Sequence, residues 1–230
     1  MRRTSRLPFL TLRALAAVAL IAGGFSGATM AARAAGPHAV PIAVARHLPL
    51  GTVVTIEGTA TTPSDAFESS FFDKGFAIQD LTAGIFISLQ DDLGVAPRRR
   101  VRVTGTLADS AGLRILVPTS TSDVHLGGNG PAVPPLWVPT GVIGEATEGR
   151  LVRVVGRISQ APSSDLPFGF KLAVDDGSGE VQIFINTQTG IDAFALSLHQ
   201  LVAIAGFSSQ FETHYEIDPR FPADIVTPGH

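Results

Sequence analysis

PIAVARHLPLGTVVTIEGTA, residues 41–60, returns further along the chain as PTGVIGEATEGRLVRVVGRI, residues 139–158. Pro41 aligns with Pro139, Gly51 with Gly149 and Gly58 with Gly156, each at a spacing of 98 residues. The likeness continues downstream. GFAIQDLTAGIFISL (75–89) pairs with GFKLAVDDGSGEVQIFI (169–185), and RVRVTGTLAD (100–109) pairs with QLVAIAGFSS (200–209). LRILV (113–117) and HYEID (214–218) close the two copies. Self-similarity at a long period is the mark of a duplicated structural unit. The stretch between them, DVHLGGNGPAVPPLWVP (123–139), has the Gly and Pro content of a linker. The expected layout is a leader over 1–35, a first unit over 36–124, a linker over 125–138 and a second unit over 139–230.

Each unit holds about five short runs of alternating or mainly apolar residues, the pattern of strands. In the second copy they fall near 151–158, 170–174, 181–185, 201–206 and 214–218. Asp175 to Gly179 supplies the DG and SG pairs that tight hairpins need. Between the third and fourth strands, TGIDAFALSLHQ spaces Ile191, Phe194, Ala195 and Leu198 for one short helix. The first copy has only QDDLGVAPRRR there, too short and too proline-broken for more than a turn. Gly58, Gly105, Gly156 and Gly206 sit within or at the ends of strands, where strongly bent strands place glycine. Five strands with a helix after the third describe the OB-fold, a small Greek-key barrel. The fold class expected is all-β: two tandem five-stranded OB-fold Greek-key barrels, with a short helix in the second.

GTVVTIEGTA, GFAIQD, AGIFIS and RVRVTG together resemble the OB-fold repeats of exported bacterial proteins. The resemblance covers almost all of 41–226 and implies nucleic-acid binding, in a family whose members accompany secreted nucleases. It rests chiefly on turn glycines and core positions. The chain departs from the nuclease-linked members in showing no catalytic domain.

The first residues differ from the rest. Arg2, Arg3, Arg6 and Arg13 precede an uncharged run, Ala14 to Ala32, and the stretch closes with Ala32-Arg33-Ala34-Ala35. A basic head, a short apolar middle broken by Gly23-Gly24 and an A-x-A exit describe an export signal cleaved near residue 34. A retained anchor would need about 20 mostly apolar residues. The expected location is therefore periplasmic or extracellular, with no stable membrane span. The whole chain holds 17 basic and 20 acidic residues; residues 1–34 take five of the basic ones and none of the acidic, leaving 12 against 20, a net of −8. An acidic domain can bind a polyanion only through a local patch, because phosphate neutralisation carries that affinity. With no cysteine, disulfides, thiol catalysis and Cys-ligated zinc are excluded together.

OB-folds bind ligands on the outer face of strands two and three, rimmed by the loops joining strands 1–2 and 4–5. Alternation turns Phe86 and Ser88 outward beside Ala77 and Gln79 in the first copy. In the second it turns Gln182, Phe184 and Asn186 outward beside Lys171 and Ala173. The pairing of the copies is open by two residues here, which preserves the face. A ring among amide and small side chains suits stacking on a base or a sugar; the same ring could instead lie under a loop or against the other barrel. The 1–2 loops bring Phe71, Phe72 and Lys74 in one copy and Phe168 in the other. The second 4–5 loop brings Phe211, His214 and Tyr215, with Arg220 beyond. Arg98, Arg99, Arg100 and Arg102 form the dense positive cluster, with Arg100 and Arg102 on one face. They grip phosphates, or they make a solvated strand entry balanced by Asp91 and Asp92.

Enzyme signals are poor. The six histidines show no metal-ligand spacing, DDGSGE (175–180) lacks a calcium-loop register, and GGNGP (127–131) precedes prolines rather than a helix. The expectation is a non-enzymatic module with no cofactor that binds single-stranded nucleic acid. An envelope or extracellular module that binds oligosaccharide or assembles with a protein partner is the alternative, and the PPLW stretch with Trp137 suits it.

Overall fold

The computed structural model describes residues 38–228, so the expected leader lies outside the described residues. In the first repeat, β1 (Val53–Ala60), β2 (Phe76–Gln79), β3 (Gly84–Ile87), β4 (Arg99–Ser110) and β5 (Leu113–Val117) form a sheet in the order β1-β2-β3-β5-β4. The sheet closes on itself through β1 and β4. The second repeat builds the same figure from β8 (Leu151–Asp165), β9 (Gly169–Asp175), β10 (Val181–Asn186), β11 (Leu201–Phe211) and β12 (His214–Asp218), closed by β11 on β8. In both, the third strand runs parallel to the fifth. The protein is all-β, two closed five-stranded barrels in tandem.

Alternation builds each core. Ile56, Ile78, Ile85, Val101 and Val103 meet inside the first barrel, and Val154, Leu172, Val174, Ile183 and Ile204 inside the second. Glycine permits closure where β1 crosses β2. A Cβ on Gly58 would stand 3.1 Å from the Gln79 carbonyl oxygen, and one on Gly156 2.8 Å from that of Asp175. The repeat spacing seen in the sequence is thus a repeated steric demand.

The helical parts differ from the expectation in kind. After β10 the backbone makes only two 3-10 turns, Thr187–Thr189 and Ala193–Ala195. Gly190, at φ 67°, ends the first turn in the left-handed region, and the Asp192 carboxylate caps the second by accepting from the Phe194 N–H. Ile191, Ala193 and Leu196 face the core, while Phe194 and Leu198 are exposed. The first repeat carries two short α-helices instead, α1 (Ile42–Arg46) before β1 and α2 (Glu68–Phe71) between β1 and β2.

One device recurs that residue matching did not reveal. The Asp80 carboxylate, in the β2–β3 turn, accepts from the Ile42 N–H at 2.9 Å and from the N–H groups of Thr82 and Ala83. Asp176, in the β9–β10 turn, accepts from the N–H and the hydroxyl of Thr140 at 3.2 and 2.8 Å. Ile42 and Thr140 lie 98 residues apart. In both copies a turn aspartate pins the segment leading into the first strand.

A third cluster lies outside both barrels, between them. Phe67, Ala77, Phe86, Leu113 and Ile115 of the first repeat pack on Phe207 of the second. Phe207 stacks on Phe67 at 6.0 Å between centroids and meets Phe86 at 5.9 Å. Gly84 and Gly149 touch backbone to backbone; a Cβ on either would run into the other's carbonyl. Gln79 Oε1 accepts from the Leu151 N–H at 3.0 Å, and Arg46 reaches Glu148 at 2.8 Å. The tips of the β4–β5 and β11–β12 hairpins pair through Gly112 and Phe211. The stretch between the barrels is anchored at both ends. β6 (Val124–Asn129) pairs with β4, and β7 (Leu136–Trp137) pairs with β8.

Phe207→Ala is expected to cost about 3–5 kcal/mol, the usual loss for a buried ring, and the parent protein to unfold in urea as one transition because the barrels share this seam. Separate transitions for the two halves would contradict the shared seam. Asp80 supplies a second expectation. Burial opposes its ionisation, but its hydrogen-bond donors outweigh burial and hold the carboxyl below its usual range. Its contribution is therefore present above the unfolded pKa and lost as pH falls through the native one. Asp80→Asn should unfold more easily than the parent at neutral pH and match it in strong acid, as read by thermal melts.

Candidate ligand-binding cleft

The face of β2 and β3 that an OB barrel offers to ligands is not free in the first repeat. Ala77 and Phe86 do leave the barrel core, as alternation requires, but Phe207 covers them and Phe86 keeps only 2 % of its surface exposed. Of the two readings of Phe86, a free stacking ring is corrected and a ring set against the other barrel holds: Phe207 of the second barrel is its partner. In the second repeat the equivalent face stays partly open. A Cβ on Gly75 would strike the Phe86 ring, and one on Gly169 would meet the Phe184 ring, so the structure settles the equivalence of the two phenylalanines. Ala77 opposes Phe86, and Lys171 opposes Phe184.

That face floors a cleft of about 330 Å³ between the barrels. The floor comes from Lys171 on β9, Gln182 and Phe184 on β10, and His214 and Glu216 on β12. One wall is the end of α2 and the turn after it, Ser70 to Asp73, with Phe86, Leu113 and Ile115 below. Phe168 stands on the tip of the β8–β9 hairpin, and Gln210 and Phe211 end β11. The hairpin is longer than expected, since β8 continues to Asp165 and what reads as a loop is strand. Register shifts at Gln160 bend it over the cleft.

Phe72 holds φ 56°, left-handed backbone that a bulky residue rarely adopts, and is 70 % exposed. Its ring meets Phe168 edge-on at 5.8 Å, one ring from each barrel across the mouth. Phe184, outward from the barrel as alternation requires, is buried in the floor. Lys171 is paired with Asp165 at 2.9 Å. Glu216 is nearly buried, and its Oε2 accepts from Gln182 Nε2 at 2.6 Å. Burial pushes its carboxyl up, against the hydrogen bond from Gln182 and the charge of His214. Asp73 is also raised by burial, opposed by bonds from Ser88 and Gly75.

The cleft therefore gathers Phe71, Phe72, Phe86, Phe168, Lys171, Gln182, Phe184 and Phe211 from the sequence-derived set. Others lie elsewhere or are engaged in holding the fold. Asn186 is buried: it donates to Asp218 at 3.3 Å and accepts from the hydroxyls of Ser69 and Ser70, joining β10 to α2. Arg220 is corrected to a structural role, bound doubly to Asp224 and donating to the Thr61 carbonyl across the barrels at 2.6 Å. Gln79 serves the seam, and the Ser88 hydroxyl donates to Asp73 at 2.6 Å. Tyr215 turns to Glu145 at 3.2 Å, and Lys74 lies 3.9 Å from Glu68. Arg100 and Arg102 line a separate groove of about 990 Å³ beside β1, β4 and β6. There Arg102 is paired with Glu57; Arg98, outside that lining, donates to the Gly130 carbonyl.

Glu216, Asp73 and Ser70 are cleft residues that sequence reasoning passed over. The parallel register Gln182↔Glu216 puts the carboxylate there, and strand alternation in HYEID is the signal that could have placed it on the outer face. Among the described residues no three His, Asp or Glu side chains are grouped to hold a metal ion, and no helix is long and apolar enough to cross a membrane.

No family model matches the chain. Endonuclease YhcR of Bacillus subtilis (strain 168) is 27 % identical over 186 residues, which is 76 % of this chain and 15 % of that protein, so the chain spans less than a sixth of its relative's length. Among solved structures, an OBody bound to hen egg-white lysozyme is 23 % identical and covers 44 % of this chain and 100 % of its own, at a TM-score of 0.34. The tetrameric p202 HIN2 is 11 % identical over 78 % of this chain and 95 % of its own, at 0.38. A murine DNA binding protein bound with double-stranded DNA is 11 % identical over 76 % and 97 %, at 0.35. At TM-scores of this size none of the three bears on what the chain binds.

Behind the cleft floor, Asp218 is fully buried, and burial followed by the neighbouring Glu216 charge drives its carboxyl well above the usual range, against bonds from Ser209 and Asn186. A raised native pKa means its stabilising contribution is complete below the unfolded pKa, about 4, and is lost as pH rises through the native value. Asp218→Asn should therefore melt at a higher temperature than the parent at pH 8, with the gap closing toward pH 4.

Proposed function

We propose that the protein is an exported, non-enzymatic binding module for single-stranded nucleic acid, and that the inter-barrel cleft admits a base. One observation carries this reading. Rings from both barrels converge on the cleft around Lys171 and Gln182, with Phe72 and Phe168 facing one another at its mouth. Every base offers a π-face, and a base stacked on an aromatic side chain contributes about 1–3 kcal/mol. The cleft volume lies within the range of small-ligand sites. The partial likeness to a Bacillus subtilis endonuclease supports a nucleic-acid ligand, and the signal-like residues 1–35 support export.

Charge shapes the binding. The net of −8 beyond residue 34 and the Lys171–Asp165 pair leave little to neutralise phosphate. Affinity should come from stacking, and its salt dependence should be shallow compared with a basic domain.

A second reading has its own support. Asp165, Glu216 and Gln182 beside Phe168 and Phe211 give rings flanked by acceptors, an arrangement that also fits a neutral sugar. A glycan array read beside oligonucleotide titrations separates the two.

Titration with fluorescent oligonucleotides at low and moderate salt should show saturable binding. Phe72→Ala and Phe168→Ala, both at exposed rings, should each weaken it by roughly tenfold, the equivalent of about one stacked base. Absence of binding at low salt would remove the nucleic-acid reading.

A further inference from the structure

The donors and acceptors around the cleft are unevenly committed. Lys171 commits one of its three N–H donors to Asp165 at 2.9 Å. Gln182 Nε2 donates to Glu216 at 2.6 Å and lies 3.5 Å from His214 Nε2, and Oε1 is left as an acceptor. Gln210 likewise turns its amide nitrogen to the Glu212 carbonyl at 2.8 Å. The acceptors are not exhausted in the same way. A carboxylate has about four lone-pair sites, whereas Glu216 receives Gln182 on one oxygen and the Ser209 hydroxyl on the other. Glu216 is also 95 % buried by its 5 % exposure, and among the described residues it has no ion pair. At Glu216 and the Gln182 Oε1 a ligand entering this cleft meets acceptors, and must bring N–H groups to them.

Resting on the reading of the cleft as a base site, we propose that it selects bases bearing an exocyclic amino group, and that Glu216 is the specificity-determining residue. Cytosine, adenine and guanine present such an amine on the edge that hydrogen-bonds. Thymine and uracil present carbonyl oxygens at the corresponding positions, which face Glu216 and the Gln182 Oε1 as like against like. The single N3–H of thymine cannot reach a carboxylate without bringing its two flanking carbonyls with it. The pairing of amine with carboxylate is the one that distinguishes cytosine in other protein–nucleic acid contacts. The parallel register Gln182↔Glu216 fixes the two acceptors on neighbouring strands, where the two N–H groups of one exocyclic amine reach both. Phosphate is kept outside by the same carboxylates, which leaves the sugar–phosphate chain at the mouth beside Phe72 and Phe168.

The test is fluorescence anisotropy of the full chain with labelled oligo(dC), oligo(dA) and oligo(dT) of equal length at low salt. The expected result is dC and dA binding at least about tenfold tighter than dT, the discrimination of one good bidentate contact. Glu216→Gln keeps the shape while exchanging an acceptor for a donor, and it should level that preference. Gln182→Met, which leaves Glu216 in place, should reduce the preference but keep its direction. Equal binding of all three by the parent protein would overturn the selectivity while leaving nucleic-acid binding intact. No binding of any oligomer would overturn the base-site reading and the selectivity with it. The comparison within the parent protein decides the matter even where a variant fails to fold.

Discussion

Phe207 packed against Phe67, Phe71 and Phe86 is the contact on which the rest of the molecule depends. A small closed barrel buries the inward half of each strand and leaves the outward half wet. A large ring on an outward position then needs a cover, since burying such a ring contributes about 1.5–3 kcal/mol over leaving it exposed. Here each barrel is the other's cover. The Gly84–Gly149 contact brings the two backbones together, and the paired hairpin tips close the far side. The cleft is the part of the seam that the two curved surfaces do not fill.

The duplication has been put to two uses. The first repeat sets Ala77, Phe86 and Ile115 on its outer face and makes of them a dry contact. The second sets Lys171, Gln182 and Glu216 on the corresponding strands and keeps that surface accessible. The same pleat and the same equivalent phenylalanine serve both ends; the difference lies in whether the neighbours of the ring are apolar or hydrogen-bonding. Where the neighbours are small and greasy the ring is sealed, and where they are polar a ligand space persists.

Much of the architecture could be read from residues alone because it is local. Turn glycines, alternating valines and isoleucines, and the spacing of 98 residues all reflect constraints within one barrel. The outward direction of Phe86 and Phe184 followed from strand periodicity. What covers Phe86 did not, because the cover comes from Phe207, more than a hundred positions further along. Arg220 and Asn186 misled for the same reason. Each carries a chemistry suited to ligands, and each is engaged by groups far away in sequence, Thr61 in one case and Ser69 and Ser70 in the other. Glu216 escaped notice because alternation in HYEID gives only its outward direction; the parallel neighbour Gln182 makes it part of a surface. The far part of β8 reads as loop because Pro162, Ser163 and Ser164 lie inside the strand and interrupt its apolar alternation before it ends at Asp165.

The anchoring of β6 and β7 to opposite barrels leaves residues 130–135 as the sole covalent bridge outside the paired strands. With the halves already held by a buried aromatic contact and backbone pairing, that bridge does little beyond keeping their effective concentration high. A protease nick within it would leave a non-covalent heterodimer rather than two freed pieces. Each piece made alone would instead carry a greasy flank with nothing to match it, and would gather into oligomers until its complement arrived.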